Sequence, residues 1–134
     1  MTEEPEPRWI NKEQVLRIQE LQIERHGGLE GIRDVGLLES AIFRPQHHYV
    51  YQAERNLFAF AALYAEGIIK NHPFNDGNKR TAHTCAALFL MANGYELQVG
   101  DEAAHLALFE DLAAGKVTHE ELTAFYRDNV TERE

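Results

Sequence analysis

The chain has 134 residues, 44% hydrophobic and 26% charged, which suits one domain with a proper core and excludes a disordered chain. Thirteen Lys and Arg against 22 Asp and Glu leave a net charge of −9, which argues against the broad basic face of a nucleic-acid binder. The one cysteine, Cys85, rules out an intrachain disulfide.

The acidic, Pro-rich opening "MTEEPEPR" reads as a flexible N-terminal segment over residues 1–8, ahead of a single domain over residues 9–130. The closing "TERE" is expected to fray. Asn11 and Gln14 form a capping box for a helix that carries Val15, Ile18 and Leu21 and stops at His26-Gly27-Gly28. Asp34 is the expected cap of a short helix through Leu37, Leu38, Ala41 and Ile42, closed by Arg44-Pro45. From about Glu54 to Lys70 the sequence is apolar on most sides of a helix, as a central helix would be. A second apolar helix is expected from Asn78 to about Ala92, ended by Asn93-Gly94. "YELQV" reads as a short extended piece, Asp101 as the cap of a helix to about Ala114, and Thr118 with Glu121 as a capping box for the last helix. The expected fold class is all-α, a compact bundle of about six helices with short connections.

Cys85 lies among Ala and Leu, and a small buried core residue is the favoured reading over a nucleophile. The apolar run at residues 84–92 is too short to span a bilayer, and no basic N-terminus precedes an apolar segment. A cytoplasmic protein with no membrane partner and no direct nucleic-acid partner is expected.

Between the two apolar helices stands "NHPFNDGNKRTAH", residues 71–83. Asp76 is a natural N-cap for the helix that follows it, or a ligand for Mg²⁺ on phosphates. Lys79 and Arg80 are the anomaly, because cations in a first turn oppose the helix dipole by roughly 0.3–1 kcal/mol each. Together with unpaired N–H groups and the Gly77 backbone they suit a bound phosphate; alternatively they face solvent or pair with acids elsewhere. Asn75 and Asn78 read as turn formers or phosphate donors, Phe74 as a plug in the core, and His72 as a base or a structural imidazole. The Walker A spacing is missing. A metal site of His72, His83 and Asp76 would account for neither cation.

"HPFNDGNKR" resembles the signature of the Fic/Doc superfamily, His-Pro-Phe-x-Asp/Glu-Gly-Asn-Gly/Lys-Arg. "RHGGLEGIRDVGLLESAIFRPQ" and "KRTAHTCAALFLMANGYEL" resemble its death-on-curing (Doc) branch. The resemblance implies a Fic/Doc-type helical fold with the site loop between two central helices. It implies His72 as the catalytic base, Phe74 as the anchor of the loop and Asp76 as the Mg²⁺ ligand. It implies Gly77 and Asn78 as part of the anion hole, Arg80 as a phosphate contact, and ATP with Mg²⁺ as cofactors.

Two positions separate the branches. Lys79 stands where AMP-transferring Fic enzymes have Gly, and His83 where they carry a second Arg; Gly77, in contrast, fits the AMP-transferring pattern. The implied activity is a Doc-like kinase that moves the γ-phosphate of ATP to a hydroxyl of a translation factor, elongation factor Tu. The alternatives are AMP transfer to a target protein and a non-catalytic binding module. The resemblance also implies a toxin role and a flap ahead of the motif, for which residues 27–36 are the first candidate and His47-His48-Tyr49 the second. The Ser/Thr-x-x-x-Glu-Gly/Asn silencing pattern is not found in the sequence; the nearest string, "ALYAEG", lacks its hydroxyl residue. A separate antitoxin protein is therefore the expected partner.

Overall fold

A computed structural model describes residues 5–98, 100 and 102–133. Helix α1 (Lys12–His26) begins at the expected capping box, with the Asn11 side chain accepting the Gln14 N–H and the Gln14 side chain accepting the Asn11 N–H. Helix α2 (Val35–Tyr51) is capped by Asp34 as expected, yet it does not stop at Arg44-Pro45. Pro45 is buried inside it and the helix runs six residues further. A proline costs one backbone bond, and beyond it the partly buried Tyr49 packs on Trp9 and Phe60, which favours continuing the helix past that local loss.

Helix α3 (Leu57–Asn71) starts later than the expected Glu54, because Asn56 caps the N–H groups of Phe58 and Ala59. Its residues from Ala59 to Ile69 are all buried, so it is the central helix. Gly67 makes this possible on one side. A Cβ there would stand 3.1 Å from the Cα and 3.3 Å from the carbonyl oxygen of Ala41, so α2 and α3 cross backbone to backbone. Helix α4 (Asn78–Ala92) lies beside α3 and buries Thr81, Ala82, Cys85, Ala86, Phe89 and Leu90. Cys85 is fully buried, and burial pushes its thiol pKa well up, which fits the core reading and not a nucleophile.

Strand β1 (Tyr95–Leu97), helix α5 (Glu102–Ala113), helix α6 (His119–Asp128) and strand β2 (Val130–Glu132) complete the order. Thr118 and Glu121 form the expected capping box of α6, whereas Asp101, the expected cap of α5, lies outside the described residues. The strands pair antiparallel, with Tyr95 opposite Glu132 and Leu97 opposite Val130. Residues 130–132 therefore do not fray, since their backbone bonds go to β1 rather than to water.

At the other end, the Arg8 N–H donates to Asn93 Oδ1, and Trp9 packs its ring on Tyr49, Phe60 and Phe89. A buried carboxylate, Glu66, joins α3 to α6 through His119 Nδ1 at 2.8 Å. The result is an all-α bundle with one small two-stranded sheet. No helix among the described residues is long and apolar enough to cross a membrane.

Candidate active site

The loop between α3 and α4 is fixed from below and from one side. Helix α3 ends where His72 turns left-handed (φ 50°, ψ 55°), with its N–H still bonded to the Ile68 carbonyl. Pro73 follows and cannot continue the helix. Phe74 is fully buried. Asn78 holds it there: its Oδ1 accepts the Phe74 N–H at 3.1 Å and its Nδ2 donates to the Phe74 carbonyl at 3.0 Å. Both polar ends of this side chain, which is on a 6% exposed residue, are thus spent on the loop itself. What Asn78 offers a ligand is its backbone N–H, in the first turn of α4, where no intrahelical acceptor exists.

Residues 27–36, the segment expected to be a flap, run against the other side of the loop. The Pro73 carbonyl accepts the N–H groups of Arg33 and Asp34, Ile32 forms a β-bridge with Phe74, and the Asn75 N–H donates to the Gly31 carbonyl. The Asn75 side chain donates to the Glu30 carbonyl at 3.1 Å. Asn75 therefore joins the flap to the loop, and it does not line the cavity formed by its neighbours. Asp76 accepts the Leu29 N–H on Oδ2 at 2.7 Å. The two chains come this close because residue 28 is glycine: at φ 116°, a Cβ on Gly28 would stand 3.1 Å from Asp76 Cβ. With its carboxylate turned to the flap, Asp76 is not the N-cap of α4. That place belongs to Gly77, which gives no side-chain cap.

An open cavity of about 260 Å³ lies over the α4 N-terminus, lined by His72, Asp76, Gly77, Asn78, Lys79 and Arg80, with Ile69 and Ala113 completing it. Ala113, the last residue of α5, carried no signal in the sequence and reaches the site only through the fold. No acidic residue stands in the first turn of α4, and Lys79 has no carboxylate partner among the described residues. The helix dipole and the cations therefore point the same sign of charge at the cavity, which suits an anionic, phosphate-bearing ligand.

His83 lies elsewhere. It lines a second cavity of about 200 Å³ with Arg25, His26 and His105, and Arg80 borders both cavities. No group of three or more His, Cys, Asp or Glu among the described residues is arranged to hold a metal, so the His72–His83–Asp76 metal site does not form. Asp76 as a single carboxylate in a cationic cavity fits Mg²⁺, which takes one or two carboxylates with phosphate oxygens and water as its other ligands.

Residues 9–90 match the family described as "Fic/DOC family". The chain is 37% identical over 113 residues to "Protein kinase doc" of Escherichia phage P1, covering 84% of this chain and 85% of that one. It is 38% identical over 90 residues to "Toxin Doc" of Mycolicibacterium smegmatis, covering 66% and 67%. The matched residues 9–90 include the motif loop, the buried Phe74 and the cationic start of α4, and the chain belongs to the Fic/DOC family, on its Doc branch.

Proposed function

We propose that this protein is a Doc-like toxin, a Mg-ATP-dependent protein kinase that transfers the γ-phosphate to a hydroxyl of a translation factor, with elongation factor Tu as its target. The observation that carries the reading is the joint exposure of His72, Asp76, Lys79 and Arg80 to one cavity at the α4 N-terminus. The likeness to a relative named a protein kinase and another named a toxin supports it.

In this reading His72 takes the proton of the attacking hydroxyl, and its exposed ring faces the cavity to do so. Asp76 holds Mg²⁺ through the carboxylate oxygen that the flap leaves unengaged. Bound there, the ion neutralises phosphate charge. Lys79, Arg80 and the first-turn N–H groups of α4 bind the phosphates and stabilise the charge that develops on transfer. Phe74 and Asn78 keep that geometry rigid from beneath. Residues 27–36, bonded along the loop, present the target segment, and a separate antitoxin silences the enzyme in the cytoplasm.

Transfer of AMP to the target is the second reading. Gly77 favours it; the Lys79 side chain in the cavity and the turning of His83 to the neighbouring cavity disfavour it. The test is incubation with elongation factor Tu and ATP labelled at either the α- or the γ-phosphate. Label from the γ position alone, lost in His72→Ala, is the expected result. Label from the α position means a nucleotidyl transferase. No transfer to any lysate protein, the same as with His72→Ala, means a binding module.

A further inference from the structure

The base proposed for this reaction sits on strained backbone. His72 is a non-glycine residue in the left-handed region, a conformation that costs roughly 1–2 kcal/mol. It also precedes Pro73, whose ring favours extended backbone at the residue before it. Such a conformation persists only where the surroundings hold it. The direction of the imidazole depends on it, because φ at His72 sets where its Cβ leaves the end of α3.

The holding group is Arg33. Its Nε donates to the His72 carbonyl at 2.7 Å and its Nη2 to the Asn71 carbonyl at 2.9 Å. One planar guanidinium thus spans the last two carbonyls of the α3 C-terminus, where helix end and cation also attract. Neither carbonyl has an intrahelical donor available, so both bonds fill a need of the helix end. The Arg33 N–H donates to the Pro73 carbonyl at 2.7 Å, so one residue grips three successive carbonyls around the imidazole. Arg33 lines neither the phosphate cavity nor its neighbour, so its guanidinium has no place among the groups that touch the nucleotide.

We infer that Arg33 is a positioning residue of the transfer reaction: its guanidinium clamps the Asn71 and His72 carbonyls and so fixes the left-handed backbone that aims the His72 imidazole into the phosphate cavity. This rests on the proposed role of His72. It extends that role to the flap, since the same residue joins the segment proposed to carry the target to the base that acts on it.

The test is Arg33→Met, which keeps the stem and the backbone bonds to Pro73, with Arg33→Lys as the conservative partner. Two quantities are read: the His72 ring signals by NMR in the free protein, and the kinetics of γ-label transfer from Mg-ATP to elongation factor Tu. The expected result is displaced His72 ring signals in Arg33→Met, kcat lower by tenfold or more, and KM for Mg-ATP within about twofold of the parent. Arg33→Lys, with one donor head in place of a fork, should recover part of the loss.

Unchanged His72 ring signals in Arg33→Met would overturn the inference, as would a raised KM at unchanged kcat. If the parent protein transfers no label at all, the kinase reading fails, while the ring signals still decide the clamp. Should Arg33→Met not fold by circular dichroism, Arg33→Lys is read in the same two ways. Ring signals and kcat equal to the parent's would then overturn the need for a two-pronged clamp.

Discussion

Asp76 and Leu29 are joined by a 2.7 Å hydrogen bond across 47 residues of sequence, the Leu29 N–H donating to Oδ2. One carboxylate therefore has two assignments: an observed one to the flap and a proposed one to Mg²⁺. A substitution can separate them. Asparagine keeps an oxygen acceptor for Leu29 and removes the charge a divalent cation needs, whereas alanine removes both. In Asp76→Asn, Leu29 amide exchange should stay within about threefold of the parent rate while Mg²⁺-dependent ATP affinity falls by more than tenfold. In Asp76→Ala both should be lost. Calorimetry and amide exchange by NMR read the two arms, and equal exchange rates in the two variants would sink the division of labour.

Asn78 is read differently once its contacts are known. The motif suggests a phosphate donor, yet the side chain is closed on Phe74 from both ends. Replacement by alanine leaves a buried N–H and a buried carbonyl without partners, at about 1–3 kcal/mol each. Asn78→Ala is expected to lose about 2–4 kcal/mol of unfolding free energy in urea and to lose transfer with it. A variant of parental stability that had lost only nucleotide affinity would return Asn78 to the phosphate site.

The site was legible in the sequence as a cluster of residue types but not as a set of roles. His72, Asp76, Lys79 and Arg80 were readable because cations and free N–H groups at a helix start are an electrostatic anomaly, and they do share a cavity. The contacts of Asn75 and Asp76 with residues 27–36 are not legible, because their partners, Glu30 and Leu29, lie in a loop whose approach no local pattern encodes. Arg33 escaped for the same reason: its task is to bond carbonyls 38 and 39 residues away. Helix starts are legible at the caps Asn11, Asp34 and Thr118, but not at Asn56, which caps α3 inside the stretch expected to be helical from Glu54. The stop at Pro45 and the loose chain end failed because tertiary burial and β1–β2 pairing overrode local preference.

His48 should titrate below the ordinary histidine pKa of 6.5, chiefly because burial penalises its charged form and secondarily because Arg44 lies near it. Its folded-state pKa is depressed, so the unfolded chain binds the proton more readily. The stability it allows is present above pH 6.5 and is lost as the pH falls toward the folded value. NMR titration of its ring should give a midpoint under 6.5. Arg44→Ala should move that midpoint only part of the way back, because burial is the larger cause. Full return on removing Arg44 would assign the shift to charge instead.

The crossing of α2 and α3 offers the sharpest test of the packing that carries the site. Gly67→Ala gains about 1 kcal/mol of helix propensity, since glycine is the poorer helix former. Against that, the new methyl would stand 3.1–3.3 Å from the Cα, Cβ and carbonyl oxygen of Ala41. Two of those three are backbone atoms, which cannot step aside as a flexible side chain would. Overpacking of this kind costs about 1–3 kcal/mol, so the crossing must open and the net effect should be a loss of up to about 2 kcal/mol. The consequence reaches further, because α3 ends at His72 and Asn71 Nδ2 donates to the Leu37 carbonyl on α2. Parting the two helices strains that bond and shifts the base relative to the flap. Gly67→Ala should therefore lower both the urea midpoint and the transfer rate, and a variant more stable than the parent would show that the helices have room to spare.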